Sequence, residues 1–206
     1  MSTLLRVIAV LVVVAVVAGA AAFGWIRSHG LSARTKPGAM EQMLARRVRS
    51  MAMPAGTNDL RNPVEPTPVV IREALEHYAD HCAVCHANNG SGDTDTGKGL
   101  YPRAPDMRLP ATQQLRDGEL FYIIENGTRF TGMPAWATGT QEGETASWKL
   151  VHFIRHLPKL LPEELGDMES FNPRSADQVR QQLQEEERSL EAGQPPPSPS
   201  SAAHHH

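Results

Sequence analysis

The sequence contains little cysteine, few aromatic residues and no excess of positive charge. Its two cysteines, Cys82 and Cys85, stand three positions apart, and a disulfide between them would close too small a loop to restrain the chain. The formal net charge of −3 argues against a protein that follows a nucleic-acid backbone, so we expect no nucleic acid among its partners. Aromatic residues make up 5% of the chain and hydrophobic residues 40%, which suits one modest core.

Patterns typical of strands and of common enzyme sites are also lacking. No stretch alternates apolar and polar residues as a strand demands, so we expect an all-α protein. No activated nucleophile, paired carboxylate or phosphate-binding loop stands out, and the glutamates at 185–187 are interpreted as a solvated run. We therefore do not expect an enzyme.

One long apolar run stands near the N-terminus. Residues 7–26 carry no charge and would measure about 30 Å as a helix, the thickness of a bilayer's hydrocarbon core. Two interpretations are open: residues 1–27 form an uncleaved membrane anchor, or they form a signal segment cleaved among the small residues at 18–22. We favour the anchor because the run continues past the small residues. In both interpretations the rest of the chain is exported.

The rest of the chain divides into three segments by composition. Residues 28–67 contain a basic amphipathic stretch followed by a linker rich in proline, asparagine and glycine. The amphipathic stretch, residues 38–52, is interpreted as a helix that rests on lipid headgroups or packs on its own domain. Residues 68–162 form the compact domain. Residues 163–206 form an acidic, partly disordered tail, and its last three histidines are set aside as part of a purification tag.

Helical periodicity predicts three main helices in the compact domain. Apolar residues recur on one stripe at about 68–82, 117–127 and 144–157. A polar loop rich in glycine and proline, residues 87–112, separates the first two helices, and loops of this length are usually disordered or functional.

The two cysteines belong to the stretch Cys-Ala-Val-Cys-His, which ends the first predicted helix. Structural zinc takes four ligands and no second cluster supplies the fourth in the usual way, although His152 and His156 leave that interpretation open. A thioredoxin-like dithiol expects a βαβ context, which does not fit a helical sequence. C-x-x-C-H is also the attachment motif of a c-type haem: on one helical turn Cys82 and Cys85 face the same side, where His86 follows as an axial ligand. We therefore predict one covalent haem c.

Met133 is the strongest candidate for the second axial ligand. It lies in the stretch GTRFTGMPAW, a loop bracketed by glycine and proline directly after the second helix, and it belongs to no apolar stripe. The preceding glycine lets the backbone approach the porphyrin, and the following proline stiffens the loop. Met107 lies in the earlier loop and is assigned to packing or to the haem edge, while His152 and His156 are assigned to the surface of the last helix.

Four stretches stand in a characteristic order: CAVCH after a helix, GKGLYPRAPDM as a proximal loop, DGELFYIIENGTRFTGMPAW as a helix and methionine loop, and SWKLVHFIRHLP as a C-terminal helix. With them, residues 68–162 resemble the monohaem class I c-type cytochromes of bacteria, particularly the haem domain of cytochrome oxidase c-type subunits. The resemblance implies a class I cytochrome c fold, in which the first and last helices cross around a covalent haem. The implied crossing joins two sets of side chains: Ile71, Leu75 and Tyr78 with Leu150, Phe153 and Ile154.

The resemblance also implies a set of residues around the haem. A carbonyl near Pro102 would accept a hydrogen bond from Nδ1 of His86, which fixes the imidazole ring. Two arginines would pair with the haem propionates unless they are ordinary surface arginines, and two aromatic residues would line the haem unless they are plain core. In chain order, the implied haem environment is Tyr101, Pro102, Arg103, Arg129 and Trp136.

A haem iron held by His86 and Met133 has no free coordination position, so we expect an electron carrier. It would shuttle electrons between membrane or periplasmic redox partners. The expected place is the bacterial inner membrane, with the haem domain on the periplasmic side, or the periplasm if the N-terminus is cleaved. Two alternatives remain: a subunit of a larger respiratory or periplasmic oxidoreductase with residues 163–191 as a docking arm, and a haem-based sensor or peroxidase with a displaceable sixth ligand.

Mass spectrometry of the mature protein tests the motif and the N-terminus together. We expect an added mass equal to one haem, retained after denaturation because thioether bonds are covalent, on a chain that begins at or near Met1. A chain without added mass would contradict haem attachment, and a chain beginning among or just after the small residues at 18–22 would identify a cleaved signal peptide.

Overall fold

The computed structural model describes residues 2–174 and 176–191, and in this part the chain forms ten α-helices and no strand. The predicted all-α class is therefore confirmed. Two 3₁₀ turns (Thr57–Asp59 and Leu157–Lys159) and one π-helical turn (Tyr78–Cys82) lie between helices. In chain order the helices are α1 (Thr3–His29), α2 (Ala39–Ala52), α3 (Pro68–His77), α4 (Ala83–His86), α5 (Asp95–Gly99), α6 (Pro110–Gln113), α7 (Asp117–Asn126), α8 (Gln141–His156), α9 (Pro162–Phe171) and α10 (Ala176–Glu191).

The chain divides between residues 35 and 36 into two compact units, and the first unit contains α1. The Ser2 hydroxyl accepts a hydrogen bond from the Leu5 amide at the start of α1, and Gly30, with a φ of +69°, ends the helix. No residue of α1 is buried, and its apolar side chains are exposed along its length. Within the described residues, α1 is the one helix that is long and apolar enough to cross a membrane.

The core of the second unit lies where α3 packs on α8. Tyr78, directly after α3, is 1% exposed, Phe153 on α8 is 0% exposed, and their ring centroids lie 4.9 Å apart. Burial of each such side chain contributes about 1.5–3 kcal/mol relative to leaving it in water. The predicted helix contact is confirmed, because its other members are buried in the same cluster or packed against it: Ile71, Leu75, Leu150 and Ile154.

Helix α7 is held on α8 at two points. Near its middle the ring of Phe121 stacks on that of Trp148, with centroids 4.0 Å apart and planes 7° from parallel. At its start, the Arg155 guanidinium donates to the Asp117 carboxylate at 2.7 Å and to the Gln113 carbonyl at 2.6 Å. These contacts fix the direction in which α7 runs, and therefore the place where the loop containing Met133 begins.

The stretch before α3, expected as a loop-like linker, packs on the domain. Thr57 is 5% exposed, and its carbonyl lies so close to Gly118 that a Cβ there would sit 2.0 Å from the oxygen. Asn62 donates to the Trp148 carbonyl at 2.9 Å, and Nε2 of His152 lies 2.7 Å from the Val64 carbonyl. The predicted linker is thus an ordered segment that packs across α7 and α8.

The core also extends into the segment expected as an acidic tail. Met168 on α9 is fully buried, and Arg72 on α3 donates to Asp167 while its guanidinium lies over the Phe171 ring, 5.4 Å from the centroid. Nε2 of His156 lies 2.9 Å from the Glu164 carboxylate. The packed domain therefore continues past residue 162 through α9. The disordered end and the tag-like histidines expected at 193–206 lie outside the described residues.

The buried position of Met168 predicts its contribution to stability. Met168→Ala removes a fully buried side chain, so we expect the free energy of unfolding to fall by about 2–5 kcal/mol in a denaturant titration. Met51→Ala is the matched control, since Met51 is 85% exposed, and should change that free energy by less than about 0.5 kcal/mol. Equal effects of the two substitutions would show that α9 is not part of the folded core.

Candidate haem-binding site

The C-x-x-C-H motif begins where the first helix of the core changes its hydrogen-bond pattern. After α3 the chain makes the π-helical turn, and the Ala83 amide donates to the Tyr78 carbonyl five residues earlier. The sequence predicted a regular α-helix here; π turns are rare and often lie at functional sites. Cys82 still has right-handed helical dihedrals (φ −91°, ψ −33°) and leads into α4, so Cys85 and His86 keep their helical offsets of three and four from it.

Both cysteines are free thiols with raised pKa values. Burial, with a smaller contribution from Cys85, raises the pKa of Cys82 to about 12, and burial also raises the pKa of Cys85. Thiols of this kind are protonated at neutral pH, whereas redox dithiols and zinc sites use thiolates. Among the described residues, no three His, Cys, Asp or Glu side chains converge as they would around a metal ion, which argues against the zinc interpretation.

The imidazole of His86 is oriented toward one backbone carbonyl. Burial lowers its pKa, so the ring is neutral at pH 7, and a backbone interaction with Pro105 opposes that shift. Since proline has no N–H, the interacting group is its carbonyl. Nδ1 of His86 is buried and makes no hydrogen bond within the described residues. A hydrogen bond to a carbonyl near Pro102 was expected; the backbone carbonyl that acts on the pKa of His86 is that of Pro105, three residues later, and the bond to Nδ1 stays a prediction.

The loop after the motif is ordered and wraps around it. The Gly92 amide donates to the His86 carbonyl at 2.8 Å, and the Thr94 hydroxyl donates to the Val84 carbonyl at 2.8 Å. These bonds satisfy carbonyls that the end of α4 leaves free. Gly97 approaches so closely that a Cβ there would lie 2.2 Å from the Cys85 carbonyl oxygen. The proximal loop is therefore packed directly against the backbone of the motif.

The loop that carries Met133 is closed by its own hydrogen bonds. Gly127, with a φ of +64°, ends α7, and the Thr128 amide then donates to the Met133 carbonyl at 3.1 Å. The Met133 amide donates to the Thr131 hydroxyl at 3.1 Å, and the Trp136 amide returns to a carbonyl of α7 at 3.1 Å. Both sides of Met133 are thus fixed to the loop or to α7.

Two contacts bring this methionine loop to the motif and to the proximal loop. The Trp136 ring meets that of His81 edge-on at 5.4 Å, and His81 directly precedes Cys82. On the other side Gly132 lies against the Leu100 side chain, with a Cβ position 2.5 Å from Cδ2. In sequence, Met133 lies between the two residues that make these contacts.

The remaining predicted residues lie at the edge of this region. Tyr101 is 39% exposed and its hydroxyl donates to the Glu41 carboxylate on α2, while Pro102 is exposed beside it. Arg103 is half-buried, and Arg129 is exposed in the methionine loop. Their haem contacts stay predictions. Met107 is buried in the core, as its assignment to packing expected. His152 and His156, expected at the surface of the last helix, are half-buried and contact the Val64 carbonyl and the Glu164 carboxylate.

The residues present fit a covalently attached haem. Two protonated thiols stand on one helical stretch, followed by a neutral imidazole whose buried Nδ1 makes no hydrogen bond and whose Nε2 would be the ligating atom. The sulfur of Met133, on a closed loop, would supply a soft second ligand. Glycine at the tightest approaches keeps the loops close to the motif.

Two glycine substitutions in α5 test whether the proximal loop must pack closely against the motif. Gly97→Ala places a Cβ 2.2 Å from the Cys85 carbonyl oxygen, so we expect a loss of about 1–3 kcal/mol in the free energy of unfolding and a lower yield of covalent haem per chain. Gly99→Ala is the control on the same helix, because nothing lies within 4 Å of its Cβ position. If both variants attach haem equally and unfold alike, the loop does not support the motif in this way.

A comparison with protein families agrees with this site. The family model described as "Cytochrome C oxidase, cbb3-type, subunit III" matches residues 70–154, which run from α3 to near the end of α8 and include the motif and Met133. A search of curated proteins found no match. Residues 70–154 are a c-type cytochrome haem domain like those of cbb3 oxidase subunits, a domain of haem-based electron transfer with a class I cytochrome c fold.

Proposed function

We propose that the protein is an electron carrier with one haem c, bound covalently by Cys82 and Cys85 and ligated by His86 and Met133. The observation that carries this proposal is the position of Met133, on a loop closed by its own hydrogen bonds and joined to the motif helix through Trp136 and His81. Met107 also lies in a hydrogen-bonded loop next to the motif, since its amide donates to the Gly90 carbonyl at 2.8 Å, but its side chain is buried in the core, whereas that of Met133 is half-buried.

Each residue has a separate task in this proposal. The thiols of Cys82 and Cys85 form the two thioether bonds, and their helical offset places them on one side of α4. The Pro105 carbonyl orients the His86 ring through Nδ1, which directs Nε2 to the iron and makes it a stronger donor. A haem with histidine and methionine ligands takes up and releases single electrons, and methionine sulfur favours the ferrous form.

The methionine loop supports a carrier over a sensor or peroxidase. Residues 127–136 contain no histidine, aspartate or glutamate, so the loop offers no acid–base group beside Met133. With Met133 bound, substrate has no coordination position. Carbon monoxide binding to the reduced, unmodified protein at neutral pH would favour the sensor interpretation.

We place the carrier at the bacterial inner membrane, with α1 as the anchor and the haem domain in the periplasm. The length and hydropathy of α1 support the anchor. The domain arrangement in this proposal is an anchor over 1–27, a juxtamembrane segment over 28–67, the haem domain from 68, and a C-terminal arm. Because α9 packs in the core, the haem domain continues through residue 171, and the arm is reduced to the chain from α10 onward.

A second candidate function is a subunit of a larger respiratory or periplasmic oxidoreductase. The description of the matching family, an oxidase subunit, favours it, as does α10, whose apolar side chains Val179, Leu183 and Leu190 are exposed. Purification from detergent-solubilised membranes, with and without the chain after Asn172, distinguishes a free carrier from a subunit docked through this arm.

Exchange of single methionines tests the axial ligand. We expect Met133→Leu to abolish the weak far-red charge-transfer band of methionine-ligated ferric haem, to lower the reduction potential and to permit carbon monoxide binding, because leucine offers no donor atom. Met107→Leu is the matched control: Met107 is a buried core residue, and a volume-conserving exchange should leave all three properties in place. Loss of the band in Met107→Leu with its retention in Met133→Leu would reverse the assignment.

A further inference from the structure

Helix α2 presents an apolar stripe that the haem domain does not cover. Met40, Met43, Leu44, Val48 and Met51 are between 55% and 85% exposed, and no residue of the helix is buried. Their spacing places them within an arc of about 140° on the helix surface. A helix that packed on its own domain would bury this stripe. The stripe therefore needs an occupant from outside the domain.

The charged residues of α2 indicate which kind of surface would bind the apolar stripe. Arg46 and Arg49 lie on the side opposite the stripe, and Glu41 is the one acidic residue of the helix. Arg47 falls within the apolar arc, where its methylene chain extends along apolar surface while the guanidinium reaches the headgroups. A basic helix with an exposed apolar stripe is the pattern that binds an anionic lipid surface. A second α2 fits poorly, because stripe-to-stripe contact brings the two copies of Arg47 together.

The chain also limits where α2 lies if α1 is the anchor. Residues 30–38 separate the two helices, and nine residues span at most about 30 Å. Arg34 and Lys36 within that span add positive charge next to the bilayer. Covalent connection therefore keeps the start of α2 within about 30 Å of the end of α1.

We propose that α2 lies in the headgroup layer of the membrane, with its apolar stripe toward the acyl chains and its arginines on anionic phospholipid. This inference rests on the proposed membrane anchor. This position of α2 also orients the haem domain, since the Tyr101 hydroxyl donates to Glu41 at the start of α2. Tyr101 belongs to the same proximal loop as Pro105, which faces His86. The helix holds the proximal side of the haem domain toward the bilayer, and tyrosine is suited to that boundary.

Lipid-chain quenching of a fluorescent label tests the position of α2. In the holoprotein both native cysteines are engaged by the haem, so one introduced cysteine is the single free thiol. The full-length holoprotein with Leu44→Cys carries bimane on the stripe, and Gln42→Cys carries it on the polar side as the matched control. In vesicles of phosphatidylcholine and phosphatidylglycerol with brominated acyl chains, we expect strong loss of fluorescence at position 44 and little at position 42.

The requirement for anionic lipid is tested by comparing vesicles with and without phosphatidylglycerol. We expect Arg46→Gln and Arg49→Gln each to lower the ratio of membrane-inserted to free α2 about fivefold when phosphatidylglycerol is present, and to have little effect in phosphatidylcholine alone. An equal effect in both vesicle types would contradict recognition of anionic headgroups.

Three other outcomes overturn the proposal in distinguishable ways. Equal and weak quenching at both positions, in protein that remains with the vesicles, places α2 in water and leaves the anchor intact. A label at position 44 that is shielded from brominated lipid and from aqueous iodide alike shows that protein, such as a second copy, covers the stripe. Protein that does not enter the vesicles overturns the anchor and, with it, the membrane position of α2.

Discussion

The packing of Tyr78 against Phe153 is the contact on which the rest of the haem domain depends. It joins the end of α3 to α8 in the part of the core that is fully withdrawn from water. The same tyrosine donates its hydroxyl to the Ala87 carbonyl at 3.1 Å, one residue beyond His86. The side chain of Tyr78 therefore links the α3–α8 crossing to the backbone directly after the motif. A shift of α3 on α8 would displace the cysteines and the histidine together.

The helices of the core were predictable because their periodic apolar residues are also the buried ones. Leu75, Leu150 and Phe153 recur at helical spacing and lie in one cluster, as expected. The place of the C-x-x-C-H motif at the end of the first core helix was equally predictable, since it follows from the order of residues in the sequence. The π-helical turn before Cys82 was not, because hydrogen bonding to the fifth residue back rather than the fourth is decided by packing and has no local sequence pattern.

The segments around the core were harder to predict for a related reason. Met168 and Thr57 are buried in stretches whose composition is acidic or rich in proline, so composition indicated tail and linker. Their burial depends on elements distant in the chain: Thr57 packs against α7, and α9 packs against α3 and the π-helical turn. The same holds for the carbonyl that faces His86: the path of the proximal loop decides between Pro102 and Pro105, and the sequence alone does not distinguish the two prolines.

The closed hydrogen-bond circuit of the methionine loop has a consequence for how such a protein changes over evolutionary time. Its bonds run among residues 128–133 and back to α7, and none of them involves the α3–α8 crossing. In the proposed carrier, the loop that offers the second ligand and the helix crossing that holds the thiols are therefore shaped by different hydrogen bonds, and they meet at the contact of Trp136 with His81. Over evolutionary time, substitutions inside the loop would then alter the electronic character of the centre while the α3–α8 crossing stays in place.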